Sequence, residues 1–341
     1  MNIPNFAVPI LTHLRPTCST PTDHRLLLLL VGALLTTGRR TMTHRWRTGR
    51  YQAPGHASSD QRVCSQRRWS TWVMAHARIR FLLDHVVPSG PVLRAGDDTV
   101  TEHPGPKVFG QGRHRDGVRS SHRFTADRWG HTWVAISGLV KRPFARRPWA
   151  LPVVVAWYRP PEWDRAHGTR QKTPAHCARR LLARLIRGFP QRHVIFVGDM
   201  GYGTRETARF CPHHRRHLTI VSQLYGDAAW DAPPPPRTCH TMGRPRVQGR
   251  QWASPQEVVA KTATRTRLMV AWSGGTTRAI EVVTGTGHWY RIGEARGEVR
   301  WVYAPDGTGT HSDEHGLTTA LRLCPQRIVA CYPPRWSIEI V

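Results

Sequence analysis

The chain has 341 residues, with 50 Lys and Arg against 22 Asp and Glu, which gives a formal net charge of +28 at neutral pH. This length is sufficient for one large domain, or for two to three modest domains that each have an apolar core. The excess of basic residues runs along the whole chain, so it excludes an acidic protein and favours a polyanion as the partner. Arginines far outnumber lysines, which suits bidentate phosphate binding but is also produced by a GC-rich coding bias.

Seven cysteines, an odd number without C-x-x-C spacing, are typical of reduced thiols and favour a cytoplasmic protein. The nearest approach to a zinc cluster is Cys211 with the histidines that follow it, but a second cysteine at finger spacing is missing. The longest apolar run, residues 26–35, is well short of the roughly 20 residues needed to cross a bilayer. We therefore expect neither structural zinc nor a membrane partner.

The chain begins with a proline-containing segment, residues 1–22, that predicts an irregular leader. Helical periodicity then predicts a helix over 23–37 that ends at Gly38, a further helix that starts near Ser58, and a longer one over 68–86. Residues 23–90 are thus expected to form a helical domain. Either a DNA-binding helix-turn-helix or a bundle that covers the next domain is compatible with this pattern.

From residue 91 the periodicity changes to that of strands. We predict strands at 92–97, 123–140 and 150–158, a helix at 176–189, and strands at 193–198 and 217–224. Three strands, a helix and a fourth strand is the order expected for the RNase H-like sheet. The predicted fold class is therefore α/β, an RNase H-like mixed sheet with flanking helices, with its core over residues 91–226.

A run of four prolines after residue 232 marks a break in composition. Short strands are predicted beyond it at 267–272, 278–284 and 298–304, separated by Gly-rich turns. Residues 227–305 are therefore expected to form a β-rich insertion. The segment 306–341 then returns to the core, with a terminal helix over about 325–341.

Carboxylates lie at the ends of two predicted strands. Asp97 and Asp98 follow the first apolar run of the core, and Asp199 follows the strongly strand-like run 194–198. One carboxylate from each strand end, together with Glu339 on the terminal helix, would compose a three-ligand cage for divalent metal ions. Solvated strand ends are the alternative interpretation of Asp98 and its neighbour Thr99.

The terminal helix carries Tyr332, Arg335 and Glu339 at offsets of three and four residues. On a helix these offsets place a phenol, a guanidinium and a carboxylate on one stripe. Taken alone, such a stripe is also compatible with ordinary helix packing and a local ion pair.

Three ordered segments resemble one family. They are Asp97-Asp-Thr99, Phe196-Val-Gly-Asp-Met-Gly-Tyr202 and Tyr332-Pro-Pro-Arg-Trp-Ser-Ile-Glu339. With these segments the chain, over roughly residues 25–341, resembles the DDE transposases of bacterial insertion sequences, in the branch with a C-terminal Tyr-x2-Arg-x3-Glu signature.

The resemblance implies a DNA transposase that cleaves and transfers strands by in-line phosphoryl transfer, with Asp97, Asp199 and Glu339 as the catalytic, metal-binding carboxylates. Asp98 is the competing choice for the first position. The implied cofactor is a pair of Mg²⁺ or Mn²⁺ ions. Tyr332 and Arg335 are implied to contact DNA phosphates.

The implied partners are double-stranded DNA, namely transposon terminal inverted repeats and target DNA, and a second copy of the chain in a synaptic homodimer. Trp272 or Trp289 is a further candidate, for stacking an unpaired base, although core packing is the favoured interpretation of both.

The family signature continues with a lysine seven residues after the glutamate, whereas only Ile340 and Val341 follow Glu339 here. This departure predicts a C-terminally truncated copy with impaired or absent activity. An inactive DNA-binding remnant that represses transposition is therefore the alternative function. A nuclease of the same fold that acts on RNA-containing duplexes is a third, which the insertion and the terminal signature disfavour.

Overall fold

The computed structural model describes residues 13, 17–39, 41–49, 56–67, 70–103, 105, 107–117, 119–120, 123–240, 242–246, 248–271, 277–289, 297–305 and 313–340. The chain divides into two compact units, Met1–Ser89 and Gly90–Val341. Among the described helices, none has the length and apolar character that a bilayer-crossing segment requires.

The first unit is helical. Its helices are α1 (Thr20–Leu35), α2 (Met42–Gly49), α3 (Ala57–Ser65) and α4 (Thr71–His85). Helix α1 starts within the predicted leader, and α3 starts at Ala57, next to the predicted Ser58, with the His56 side chain as its N-cap. A buried ion pair at 3.1 Å joins Arg25 of α1 to Asp60 of α3, so these two helices are held by charge as well as by apolar packing.

The second unit is built on one large mixed sheet. Its strands are β1 (Val92–Glu102), β2 (Gly112–Arg115), β3 (Asp127–Val140), β4 (Trp149–Tyr158), β5 (Val194–Gly198), β6 (Leu218–Gln223), β7 (Trp230–Asp231), β8 (Gln251–Trp252), β9 (Thr266–Ala271), β10 (Thr277–Trp289), β11 (Gly297–Ala304) and β12 (Glu314–Thr318). Its helices are α5 (Pro161–Ala166), α6 (Pro174–Gly188), α7 (Arg205–Phe210), α8 (Pro255–Lys261) and α9 (Pro325–Cys331), together with short 3₁₀ helices at Pro212–His214 and Pro333–Ile340.

The core of the sheet has the strand order β4-β3-β1-β5-β6. Strand β3 is antiparallel to both β1 and β4, whereas β5 and β6 run parallel to β1. This is the RNase H-like arrangement that the sequence predicts. Strand β5 is buried along its whole length, which explains its continuous apolar sequence.

The segment predicted as a β-rich insertion extends the same sheet. Strand β12 pairs with β6, and β11, β10, β7 and β8 follow outward in that order. Apolar side chains of β5, β6, β10 and β11 share one core cluster with α9, in which Ile328 and Tyr332 are buried. The C-terminal segment therefore packs on the sheet next to the strands that carry the acidic residues.

The prediction of one continuous α-helix over about 325–341 is wrong. The α-helix ends at Cys331, and a 3₁₀ helix spans Pro333–Ile340. Pro333 and Pro334 have no backbone N–H to donate, and each proline disfavours the α conformation in the residue before it. The backbone N–H of Arg335 instead donates to the Tyr332 carbonyl at 2.9 Å, three residues back.

Candidate active site

The strand register brings Asp97 and Asp199 to the same edge of the sheet. Strands β1 and β5 are parallel, and their last paired residues are Ala95 and Val197. Each aspartate lies two residues farther on. Because the carboxyl ends of parallel neighbours meet at one edge of a sheet, the two carboxylates are brought together although 101 residues separate them in sequence.

Asp97 and Asp98 are consecutive in β1, so their side chains start toward opposite faces of the sheet. Asp97 shares its face with Ala95, which packs with Ile338 of the terminal 3₁₀ helix. The Asp98 N–H donates to Oδ1 of Asp97 at 2.9 Å. Asp97 is thus the member of the pair on the face that the C-terminal segment covers.

Three carboxylates converge at this edge. One oxygen each from Asp97, Asp98 and Asp199 lies within 4.8 Å of the others. Burial raises the pKa of Asp97; Asp199 and Glu339 add to that effect, while Arg335 opposes it. Asp98 is exposed at the rim of the group; partial loss of solvent around its carboxylate, followed by the charges of Asp199 and Asp97, raises its pKa to about 6. The group therefore has a surplus of negative charge that a cation would relieve.

A tight turn holds Asp199. Its Oδ1 accepts a hydrogen bond from the Gly201 N–H at 2.9 Å, and its carbonyl accepts one from the Tyr202 N–H at 3.1 Å and another from the Ser222 hydroxyl. A Cβ on Gly203 would overlap the Gln223 carbonyl. Contacts with β6 and hydrogen bonds within the turn thus position the Asp199 carboxylate.

Tyr202 fills the space beneath the carboxylates. Its ring is buried and packs edge-on against Phe196 of β5, with the centroids 5.7 Å apart. Burial raises the pKa of its phenol, and the charges of Asp98, Asp199 and Asp97 raise it further. The phenol therefore stays neutral, and the Tyr202 ring forms an apolar surface next to the carboxylates.

Arg335 connects the C-terminal segment to the strand-end carboxylates. Its Nη1 lies 3.7 Å from Oδ2 of Asp97, and its Nη2 donates to Oε1 of Glu339 at 2.9 Å. Its guanidinium carbon lies 5.4 Å from the centre of the Tyr332 ring. Tyr332, Asp97 and Glu339 raise the pKa of Arg335 against the lowering effect of burial. One buried cation thus bridges two of the predicted metal ligands.

Glu339 is near the three aspartates but is not a member of their group. Its side chain is 54% exposed, and its recorded contact is the ion pair with Arg335. Tyr332 and Arg335 are each only 7% exposed. The predicted contacts of Tyr332 and Arg335 with DNA phosphates stay a prediction, and in this structure both side chains support the site from within.

Two further sequence candidates have a structural position. Trp289 is 5% exposed and stacks on Trp230 at 4.8 Å, while its Nε1–H donates to the Ala229 carbonyl at 3.1 Å. It is a core residue, and Trp272 lies outside the described residues. Cys211 is buried and belongs to no cluster of three or more metal-ligating groups in the described part of the chain.

Sequence reasoning gave no role to two residues of the site, Tyr202 and Ser222. A signal for Tyr202 was present, since it follows Asp199 by three residues between two glycines. Ser222 carried no signal, because its contact with Asp199 depends on the parallel pairing of Gly198 with Ser222. Asp98 was considered only as a competitor of Asp97, whereas the structure brings both into the group.

Comparisons with known proteins place this geometry in context. The family described as DDE superfamily endonuclease matches residues 13–279. No curated protein matches. A solved structure that does match is the cryo-EM structure of a piggyBac transposase synaptic complex with hairpin DNA, at 10% sequence identity and a TM-score of 0.36.

That match covers 98% of this chain and 56% of the transposase chain, so the present chain spans little more than half the length of that protein. The likeness is too distant to support an argument about function. The family match, in contrast, covers well over half of the chain and includes Asp97 and Asp199. The chain therefore belongs to the DDE superfamily endonucleases.

Proposed function

We propose that this chain is a DNA transposase that cleaves and transfers strands at insertion-sequence ends by metal-dependent, in-line phosphoryl transfer. The observation that carries the proposal is the convergence of Asp97, Asp98 and Asp199 within 4.8 Å, just beyond the last paired residues of β1 and β5. Family membership supports endonuclease chemistry. The three sequence segments that resemble insertion-sequence transposases support the more specific substrate.

The donor set fits divalent ions of the Mg²⁺ or Mn²⁺ type. Carboxylate oxygens are the hard ligands that these ions prefer. Three carboxylates lie together, and Arg335 contacts one of them, Asp97, at 3.7 Å, so the charge of the group supports cation binding. When bound, two such ions supply Lewis acidity and a more acidic oxygen nucleophile.

We propose Asp97, Asp199 and Glu339 as the ligands, with Asp98 within reach. The ion pair of Glu339 with the same arginine that contacts Asp97 supports its inclusion. The role of Arg335 is then to keep Asp97 ionised and to orient Glu339. Tyr332, buried against the arginine, limits the positions that the guanidinium can adopt.

The proposed partner is double-stranded DNA, both the terminal inverted repeats and the target, bound by a synaptic homodimer. The charge of +28 supports a polyanionic partner. If roughly six to ten phosphates are contacted, the affinity falls steeply with salt, with a log–log slope near −0.9 per phosphate. The helical segment 23–90 is proposed to add DNA contacts of its own, and the nucleoid is the proposed location.

A strand-cleavage assay on a duplex with a candidate inverted repeat tests the proposal. We expect cleavage with Mg²⁺ or Mn²⁺ and none with EDTA. Asp199→Asn should abolish cleavage but preserve DNA binding, because it removes one charge from the site. Asp127→Asn is the matched control, since Asp127 pairs with the exposed Arg113 on β2. Equal cleavage by both variants would refute the assignment of the site.

The second candidate is a DNA-binding remnant that represses an intact transposase. The observation that favours it is that Glu339 lies outside the group of three carboxylates. In that case the wild-type chain binds inverted-repeat DNA without cutting it, and Asp199→Asn changes neither property. Inhibition of an intact relative by added wild-type chain would then identify the repressor.

A further inference from the structure

The turn between β3 and β4 has an unusual composition. Its nine residues, Lys-Arg-Pro-Phe-Ala-Arg-Arg-Pro-Trp over 141–149, include four cations and no acid. We call this segment the basic hairpin. In the part of the chain that the structure describes, no carboxylate forms an ion pair with any of these four cations. Their charge is therefore available to a partner.

Contacts within the basic hairpin restrict its conformation. Its ends are joined by the Val140–Trp149 pair, and the Ala145 N–H donates to the Arg142 carbonyl at 3.1 Å. Phe144 and Trp149 meet edge-to-face with their centroids 5.5 Å apart, although Phe144 is largely exposed and Trp149 half-exposed. Two prolines restrict the backbone further. Such pre-ordering lowers the entropy cost of binding.

The hairpin borders an open cavity of about 390 Å³. Arg146, Arg147 and Trp149 line one side, and Ser337 of the terminal 3₁₀ helix lines the other. Ser337 lies two residues from both Arg335 and Glu339. The cavity therefore shares one structural element with the carboxylate site and lies on the face of the sheet that this element covers.

The distance between the two sites follows from the register. Asp97 pairs with Ala135, and the hairpin begins after Val140, five residues along β3. At about 3.4 Å per residue the separation is roughly 17 Å. The same length corresponds to roughly five phosphates along one DNA strand. Because β3 is antiparallel to β1, the hairpin lies toward the amino end of β1. A duplex with its scissile phosphodiester at the carboxylates therefore reaches the hairpin when it runs along β3.

We propose that the basic hairpin binds the sugar–phosphate backbone of a DNA duplex, with Arg146 and Arg147 on phosphates and the exposed aromatic rings against the sugars. Guanidinium groups bind phosphate oxygens in a bidentate way, and two exposed rings beside exposed arginines suit a surface that is both charged and apolar. The position about five phosphates from the cleaved bond rests on the proposed function, whereas DNA binding by the hairpin does not.

The test is the salt dependence of binding to a labelled duplex in EDTA, where cleavage plays no part. Arg146→Ala/Arg147→Ala should reduce the log–log slope by about 1.8, that is 0.9 for each lost contact. If the affinities converge near 1 M salt, this is a loss of about 60-fold at 0.1 M. The loss should be the same for all duplex sequences, since phosphates carry no sequence information.

The matched control is Arg244→Ala/Arg246→Ala, which removes two exposed arginines from another segment. Arg146→Lys/Arg147→Lys keeps both charges and should keep the salt slope. A fall of the slope in the alanine variant alone is then due to lost charge and not to a changed hairpin structure. An unchanged slope in the Ala/Ala variant, or a fall no larger than that of the control, overturns the proposal. A loss confined to anionic vesicles also overturns it, because the partner is then a lipid surface.

A second arm tests the position. Neutral methylphosphonates placed about five phosphates from the cleaved bond should remove the difference between wild type and the Ala/Ala variant. The proposed position is wrong if a different placement does so. Should no cleavage be found, the function proposed above fails, and the salt slope in EDTA still decides whether the hairpin binds DNA.

Discussion

Arg335 is the residue whose removal tests the electrostatic reasoning most directly. Arg335→Ala leaves the Asp97 carboxylate, only 22% exposed, without its cation at 3.7 Å. At an effective dielectric constant of about 20 that contact has a gross energy of about 4–5 kcal/mol. Solvent near the carboxylates and the small contribution of the half-exposed Glu339 reduce the expected loss to about 2–3 kcal/mol. For a chain of this size the thermal midpoint should fall by about 3–4 °C.

The pH dependence of this loss separates charge from packing. Without Arg335 the pKa of Asp97 rises further, because the arginine is the group that lowers it. A raised pKa in the folded state provides stability below the unfolded-state value and loses it as pH rises. The deficit of Arg335→Ala in metal-free buffer should therefore be larger at about pH 8 than at about pH 4.5.

Thermal unfolding followed by circular dichroism measures both quantities. Arg335→Lys should recover part of the loss, since it restores the charge without the two-pronged contact to Asp97 and Glu339. Arg113→Ala is the control, because its ion pair with Asp127 has a 72% exposed arginine and should contribute under about 1 kcal/mol. An Arg335→Ala deficit that is the same at both pH values would refute the argument and leave only lost packing.

Three further outcomes are expected. Mg²⁺ at ten times its dissociation constant should stabilise the protein by about 1.4 kcal/mol, measured as a thermal shift. The shift should be absent in Asp199→Asn. It should also be smaller below about pH 6, where Asp98 takes up a proton. Gly203→Ala should lower the free energy of unfolding, measured by urea titration, by about 2 kcal/mol, since its Cβ would overlap a β6 carbonyl. Gly117→Ala is the control and should change the free energy little, because the space around Gly117 is open. Trp289→Ala should cost about 3–5 kcal/mol in the same assay, and a near-neutral result would contradict its place in the core.

The central strands were predictable because their burial leaves a local signal. Residues 194–198 form a continuous apolar run, and the sequence predicted this strand within one residue. The last five residues of β1, 98–102, were missed because they are polar and largely exposed. Pairing with β3 holds them in the sheet, and such pairing is a property of distant residues that no local pattern contains.

The site was predictable in its parts but not in its assembly. Sequence placed Asp97 and Asp199 at strand ends, and the parallel register of β1 and β5 brings them together. The position of Glu339 was predicted on the assumption of a continuous α-helix. The two prolines after Tyr332 were visible in the sequence, but which conformation replaces the α-helix depends on packing against the sheet.

The tight winding of the last eight described residues has a consequence for Glu339. A 3₁₀ helix turns by about 120° per residue and an α-helix by about 100°. Glu339 is four residues after Arg335. Viewed down the helix axis, its side chain is therefore rotated from that of Arg335 by about 120° in a 3₁₀ helix and by about 40° in an α-helix. A change of this segment from 3₁₀ to α-helical geometry would therefore rotate the Glu339 side chain by about 80° around the helix axis, while Tyr332 stays in its buried position. The rotation per residue in the helix Pro333–Ile340 thus sets the direction of its acidic side chain, Glu339.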